Sequence, residues 1–203
     1  AALEPEIDDL VAFLNTLGAK IQRSGSMIVV SGGCELKGGV HDVMADRIEA
    51  GTFLIAGAII GGRITVGRIN PDTLKALLDA LQQAGAHIER HEDQVTIEMN
   101  QRPKAIDITA TEYPGFPTDL QPQWGVLAVI SEGKSIIKDT VFPERFDHMA
   151  ELKRMGAKFK QHHGWVEIEG VEQLVGAELY ARNLRSAAAL ILSGYISQGK
   201  TTV

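Results

Sequence analysis

One helix-ending phrase occurs three times in this 203-residue chain and constrains its fold more than any other feature. It reads LNTLGAKI from Leu14, LQQAGAHI from Leu81 and LKRMGAKF from Leu152. Each copy ends a run with helical apolar spacing, and its glycine stands where a left-handed C-cap is expected. Short runs typical of half-buried strands follow at residues 27–30, 95–97 and 165–168. The phrase predicts a helix, turn and strand unit that repeats about every 70 residues.

A second phrase recurs in the same order. It reads FLIAGAIIGGRITV from Phe53, GVLAVISEGKSII from Gly125 and ALILSGYISQGKTTV from Ala189. Each copy is interpreted as an apolar helix broken at Gly62, Gly133 or Gly199 and followed by a strand. Because apolar residues cover most of segments 53–60, 126–130 and 187–192, we expect three central helices. In a generic α/β protein such units recur only because helices need C-caps, and two independent phrases argue against that alternative.

Composition and charge exclude several classes of protein. The net charge of −6 leaves no basic surplus for a phosphate backbone, so no nucleic-acid partner is expected. The first nine residues lack the sections of a signal peptide, and no apolar run approaches the roughly 18 residues of a membrane span, so no membrane partner is expected. Cys34 is the single cysteine, which rules out an internal disulfide and makes a reduced cytoplasm the expected compartment.

No metal site and no cofactor loop are expected from the sequence. His91, His162 and His163 lie in polar turns, without the spacing or the carboxylate neighbours of a metal site. The glycine-rich stretches lack both the mononucleotide and the dinucleotide pattern. Cys34 has no neighbouring cation or helix start to favour its thiolate, which makes it a poor candidate nucleophile.

Polar residues stand just ahead of the three apolar helices. They are Asp46-Arg47, Thr118-Asp119 and Asn183-Leu184-Arg185. A helix N-terminus with free N–H groups and a nearby arginine attracts anions, so three such starts could converge on one anionic ligand. The simpler interpretation is that Asp46, Asp119 and Asn183 are N-caps, each contributing about 1 kcal/mol to helix stability.

Two loops carry more specific chemistry. In segment 113–119, two prolines and a glycine fix a turn that delivers Asp119 to the start of a buried helix, where its carboxylate could act as a positioned base. Segment 141–146 carries Arg145, a candidate ligand for phosphate or carboxylate. The alternative for this second loop is a surface ion pair between Glu144 and Arg145 that contributes almost nothing to stability.

Several longer segments carry a family resemblance. They are ADRIEAGTF from Ala45, FPTD from Phe116, residues 142–148 and NLR from Asn183. In this order they resemble the signature segments of the UDP-N-acetylglucosamine 1-carboxyvinyltransferases, a family of enolpyruvyl transferases, and the similarity runs along all 203 residues. Two positions depart from the family pattern, with Pro143 replacing an acidic residue and Asn183 replacing an aspartate.

The resemblance implies a fold and a domain organisation. The implied fold is α/β, an inside-out α/β barrel of repeated βαβαββ units, with helix N-termini facing a cleft between two similar domains. Residues 1–45 would be the last part of one domain, and residues 46–203 most of the second. Family chains are about twice this length, so the expected partner is the remaining half of the enzyme chain. That half holds the family's N-terminal lysine and asparagine and its reactive cysteine, which Cys34 does not match, and the chain alone is expected to be inactive.

The resemblance also implies a reaction and its residues. The family transfers the enolpyruvyl group of phosphoenolpyruvate to the 3-hydroxyl of UDP-N-acetylglucosamine and releases phosphate, the first committed step of peptidoglycan synthesis, without a metal or organic cofactor. By resemblance, Asp119 contacts that hydroxyl as general base, and Val141 gives the UDP-sugar a backbone contact. The other implied substrate-binding residues are Thr118, Arg145, Arg185, Arg47 and Glu6. The alternatives are a shikimate 3-phosphate enolpyruvyl transferase, a non-catalytic nucleotide-sugar-binding module and a divergent paralogue.

Overall fold

The computed structural model describes residues 2–203, and the chain divides into two compact units that meet between Asp46 and Arg47. The first unit contains a helix and a hairpin: α1 (Pro5–Thr16), β1 (Lys20–Ser24) and β2 (Met27–Ser31). Residues 32–46 form no helix or strand. The Oδ1 atom of Asp9 in α1 lies 3.0 Å from His41 Nε2 and accepts from the backbone N–H of Met44 at 3.2 Å, which ties this segment to the helix.

The second unit alternates helices and strands. Its elements are α2 (Arg47–Ile60), β3 (Gly62–Gly67), α3 (Lys75–Gln83), β4 (His87–Arg90), β5 (Gln94–Met99), β6 (Ile108–Ala110), α4 (Gln121–Ile130), β7 (Lys134–Asp139), α5 (Asp147–Arg154), β8 (Lys158–His162), β9 (Trp165–Glu169), β10 (Leu174–Val175), α6 (Leu184–Tyr195) and β11 (Ser197–Gln198). Short 3-10 turns at Pro71–Leu74 and Thr118–Leu120 precede α3 and α4.

The sheets repeat one pairing pattern. Strands β3, β5 and β4 form an antiparallel sheet in that order, and β7, β9 and β8 form the equivalent sheet with β6 added parallel to β7. Strands β10 and β11 also pair in parallel. The order β6-α4-β7-α5-β8-β9 is one complete βαβαββ unit, so the predicted α/β repeat is confirmed. The sheets remain separate, and residues 2–203 do not close a barrel.

The helix-ending glycines adopt the predicted left-handed conformation. Gly18, Gly85 and Gly156 have φ angles of 99°, 105° and 100°. After each glycine, the backbone N–H of the following alanine donates to the carbonyl of the leucine five residues earlier, at 3.0–3.1 Å. This is the bond that defines a Schellman C-cap, and the three copies of the first phrase therefore fold identically.

The helices of the second phrase form the centre of the second unit. Helices α2, α4 and α6 pack against one another, and nine of the ten residues of α4 are buried. A methyl group at Gly57 would come within 2.9 Å of Ile64, so α2 also lies directly on its own sheet. Helix α6 is less enclosed, because Ile191 is 50% exposed and Tyr195 is 71% exposed. The prediction of central helices is confirmed for α2 and α4 and holds for one face of α6.

The third copy of the second phrase departs from the prediction. Helix α6 ends at Tyr195, the short strand β11 comes before Gly199, and only an isolated bridge between Thr202 and Glu178 follows it. The expected strand after Gly199 was therefore wrong. The β-branched pattern TTV favours a strand, but among residues 2–203 it pairs with a single residue rather than with a sheet.

His148 in α5 is fully buried without a polar partner. Its two ring nitrogens have no hydrogen-bond partner among residues 2–203, and a methyl group at Gly125 of α4 would come within 3.0 Å of Nε2. Phe146 stacks beside the imidazole at a centroid distance of 6.3 Å. Burial lowers the pKa of His148 from 6.5 to about 3, so the side chain is neutral in the folded protein at neutral pH.

This histidine makes the chain sensitive to acid. The unfolded chain binds a proton at His148 below pH 6.5 and the folded chain only below about 3, so stability is lost as the pH falls between these values. At pH 5 the loss is about 2 kcal/mol relative to neutral pH. Urea unfolding followed by circular dichroism at pH 7 and pH 5 measures it. His148→Met should reduce this pH dependence and the exposed-site control His163→Ala should preserve it; equal pH dependence in all three proteins would contradict the assignment.

Candidate active site

The N-terminal ends of α2 and α4 lie side by side. A methyl group at Gly51 in α2 would come within 2.5 Å of Leu120 Cδ1, so the missing side chain lets α2 and the turn before α4 lie close together. Gln123 Nε2 in the first turn of α4 donates to Thr52 Oγ1 of α2 at 2.9 Å. Two of the polar helix starts noted in the sequence are therefore brought to one place.

Asp119 links the N-terminal end of α6 to the N-terminal ends of α2 and α4. It lies in the 3-10 turn before α4, and its side chain is 34% exposed. Arg145 Nη1 donates to Asp119 Oδ1 at 2.5 Å, and Arg185 Nη2 from the first turn of α6 donates to Oδ2 at 2.7 Å. Each carboxylate oxygen thus has its own guanidinium.

The two arginines decide the charge of this carboxylate. Burial alone raises the pKa of Asp119, but the hydrogen bonds from Arg185 and Arg145, with their positive charges, more than offset burial and hold the pKa below its ordinary value. Asp119 is therefore ionised at neutral pH. A carboxylate held in this way is a weak proton acceptor, and it becomes a stronger one when either arginine moves away.

Thr118 connects the cluster to a second, buried carboxylate. Arg145 Nη1 also donates to Thr118 Oγ1 at 3.3 Å, and the Thr118 hydroxyl donates to Asp139 Oδ2 at 2.6 Å. Asp139 ends β7 and is 1% exposed. Its Oδ1 accepts the backbone N–H groups of Val141 and Phe142 at 3.0 and 2.8 Å. The turn at Asp119 and the loop after β7 are therefore fixed to each other.

The loop after β7 directs Arg145 inward. The guanidinium carbon of Arg145 lies 4.0 Å from the centre of the Phe142 ring, a cation–π contact that supports the side chain from one side. Glu144 pairs instead with His163, at 3.1 Å. The surface pair of Glu144 with Arg145 was therefore the wrong interpretation, because the arginine reaches a carboxylate on another turn.

The remaining predicted residues take separate positions. Arg47 is 7% exposed, and its guanidinium carbon lies 5.4 Å from the centre of the Tyr113 ring. Asn183 is the N-cap of α6 and accepts from the Ser186 backbone N–H at 2.9 Å, so the capping interpretation is right for this residue. It is wrong for Asp119, whose carboxylate caps no helix. Glu6 is an exposed residue of α1 in the first unit.

Sequence reasoning missed Asp139. An aspartate that accepts N–H groups two and three residues later forms a common turn at the end of a strand, and the segment Asp-Thr-Val-Phe carries that local signal. The Thr118 contact spans 21 residues and has no local signal.

The arrangement can recognise anions. Each guanidinium has five N–H donors, and Asp119 and Thr118 engage only part of them, so Arg145 and Arg185 together can bind a phosphate or carboxylate beside a proton-accepting oxygen. In the part of the chain that the structure describes, no group of three or more His, Cys, Asp or Glu side chains is placed to hold a metal ion. Within residues 2–203, every helix is too short or too polar to cross a membrane.

Comparison with known proteins identifies the family. The model of the family described as EPSP synthase (3-phosphoshikimate 1-carboxyvinyltransferase) matches residues 1–203. A UDP-N-acetylglucosamine 1-carboxyvinyltransferase of Hamiltonella defensa is 48% identical over 204 residues, which span 100% of this chain and 48% of that protein. The protein of the same description from Tolumonas auensis is 46% identical over 205 residues, 100% of this chain and 49% of that protein.

A solved structure agrees with these matches. The enolpyruvyl transferase NikO from Streptomyces tendae has a TM-score of 0.76 and 25% identity, covering 94% of this chain and 46% of the NikO chain. The chain spans about half the length of the relatives that it matches. The fold, the family match along residues 1–203 and the relatives agree, and the chain belongs to the EPSP synthase family of enolpyruvyl transferases.

Proposed function

We propose that this chain is part of an enzyme that transfers the enolpyruvyl group of phosphoenolpyruvate to the 3-hydroxyl of UDP-N-acetylglucosamine and releases phosphate. The observation that carries the proposal is Asp119 held between Arg145 and Arg185 beside the adjoining helix starts. This cluster combines a proton acceptor, Asp119, with two guanidinium groups that can bind the phosphate of a substrate. The 48% identical relative of that description supports the choice of substrate.

The proposed roles follow from the charges. Asp119 takes the proton of the sugar hydroxyl as the oxygen adds to C2 of phosphoenolpyruvate, whose C3 gains a proton. Loss of a proton from C3 and of phosphate from C2 then restores the double bond. Arg145 and Arg185 bind anionic groups of the substrates. When either arginine moves away from Asp119, the pKa of that carboxylate rises and it becomes a stronger base. The backbone of Val141, the hydroxyl of Thr118 and Arg47 belong to the same proposed substrate site.

The proposal has a wider context. The partner that completes the active site is the remaining half of the enzyme chain. Glu6 is assigned to the substrate-binding residues, in the region of the nucleotide. A cytoplasmic location and a role in peptidoglycan synthesis, and through it in cell shape and division, are parts of the proposal. No metal or organic cofactor is assigned to the reaction. The two homologous domains implied by the sequence, residues 1–45 and 46–203, belong to the proposal as well.

The test is a substrate-resolved assay of phosphate release. The full-length protein that contains this chain should release phosphate from phosphoenolpyruvate with UDP-N-acetylglucosamine, and not with shikimate 3-phosphate. The 203-residue chain by itself should release none, because it spans only about half the length of the relatives that it matches. Release with shikimate 3-phosphate alone would assign the protein to the reaction that gives the family model its description. Binding of the UDP-sugar without release would make it a non-catalytic module.

A further inference from the structure

We infer that Asp139 is a positioning residue of the proposed active site, which holds the Thr118–Asp119 turn and the Val141–Arg145 loop in one arrangement. The inference rests on the proposed function for the roles of Asp119 and Arg145. Nothing in the family resemblance assigns a role to Asp139. Its importance comes from where its two carboxylate oxygens are directed.

The first observation is that Asp139 is a buried carboxylate with polar partners of two kinds. It is 1% exposed, and no ion pair involves it among the residues that the structure describes. Its oxygens accept instead from two backbone N–H groups on Oδ1 and from the Thr118 hydroxyl on Oδ2, at 2.6–3.0 Å. Burying a carboxylate is costly unless such donors surround it, so its position depends on all three contacts.

The second observation is the direction of the hydrogen bonds. A hydroxyl has one proton, and Thr118 gives it to Asp139, which leaves an oxygen lone pair facing Arg145. Arg145 Nη1 donates to that oxygen at 3.3 Å and to Asp119 at 2.5 Å. Asp139 therefore sets the orientation of the Thr118 hydroxyl, and the hydroxyl helps to set the position of the guanidinium that holds Asp119.

A purely local role accounts for two of these three contacts. The Oδ1 bonds to Val141 and Phe142 form an ordinary aspartate turn after a strand, and any protein loop can use one. The Oδ2 bond reaches Thr118, 21 residues earlier, in the turn that presents Asp119. An asparagine at position 139 can keep the first set through its carbonyl oxygen. It would face the Thr118 hydroxyl with an amide NH₂, which donates and cannot accept.

A double-mutant cycle in the full-length protein separates the local role of Asp139 in the turn after β7 from its role in positioning Thr118 and Arg145. Asp139→Asn and Thr118→Val both remove the bond between the two residues, and Thr118→Val also removes the oxygen that accepts from Arg145. Asp139→Asn should lower kcat for phosphate release by about 5- to 10-fold, a loss typical of one hydrogen bond, and Thr118→Val by at least as much. The double variant should be no slower than the slower single variant. Ser135→Ala is the matched control, because Ser135 is buried on the same strand and its Oγ has no partner among residues 2–203. Additive losses, or unchanged kcat in Asp139→Asn, would overturn the inference.

A second measurement does not depend on turnover. In the full-length protein labelled with ¹⁵N at arginine, Asp139→Asn and Thr118→Val should shift the side-chain N–H signal of Arg145, which Arg145→Lys identifies, and Ser135→Ala should leave it in place. An unmoved signal in both variants would refute the positioning role. If the wild-type protein releases no phosphate but the Arg145 signal still shifts, the proposed function fails and the positioning of Arg145 by Asp139 stands.

Discussion

Replacing Asp119 with alanine in the full-length protein is expected to lower the rate of phosphate release from phosphoenolpyruvate and UDP-N-acetylglucosamine by about 10² to 10⁴-fold, the range for loss of a positioned acid-base group. The effect has to appear in kcat, since proton transfer belongs to the chemical step. Steady-state kinetics over both substrates measure it. Turnover within a few-fold of wild type would remove Asp119 from the role of base.

The structure predicts a second consequence that separates a base from a ligand. Asp119 occupies both Arg145 and Arg185, so Asp119→Asn frees positive charge for an external anion. Phosphate, titrated calorimetrically, should bind the variant at least as tightly as it binds wild type although turnover falls. Asp79→Asn is the matched control, because Asp79 also bridges two cations, Lys75 and Arg90, but on α3. It should change neither phosphate affinity nor kcat, and weaker phosphate binding in Asp119→Asn would contradict the competition.

Replacing Arg145 with alanine is expected to lower kcat/KM by about 10- to 10²-fold. The guanidinium makes charge-assisted hydrogen bonds, each contributing about 1.5–3 kcal/mol, and its loss leaves Thr118 and Asp119 without a donor that they share. Because the remaining Arg185 still pairs with Asp119 Oδ2, the carboxylate stays in place but with a higher pKa. The acidic limb of the pH–rate profile should therefore move to higher pH.

Two variants serve as controls for this prediction. Arg145→Lys keeps the charge but loses the fork that reaches both Thr118 and Asp119, so part of the loss should remain. Arg154→Ala removes an arginine that pairs with Glu151 at 3.7 Å and lies over the Tyr180 ring at 5.9 Å, and its activity should match wild type. An acidic limb that stays in place in Arg145→Ala would show that Arg145 does not control the protonation of Asp119.

Much of the fold follows from local pattern. The phrases around Gly18, Gly85 and Gly156 predict a helix end because a left-handed turn tolerates glycine best, and all three glycines adopt that turn. Apolar runs likewise predict the central helices α2 and α4, since burying that surface is the dominant gain in folding. The strand expected after Gly199 shows where local pattern is not sufficient to predict secondary structure. A strand forms only where a neighbouring strand is available to pair with it.

The candidate site needed both kinds of information. Asp119 and Arg145 stand out in the sequence because they lie in rigid, charged loops. The sequence also offered Glu144 as the partner of Arg145, because the two residues are adjacent. Only the tertiary structure decided that Arg145 and Arg185 meet at Asp119, that Asp139 is buried behind Thr118 and that His148 is enclosed without a partner. Helix ends and apolar faces are set by neighbours within a few residues. The partners of charges are set by separations in space that only packing brings about.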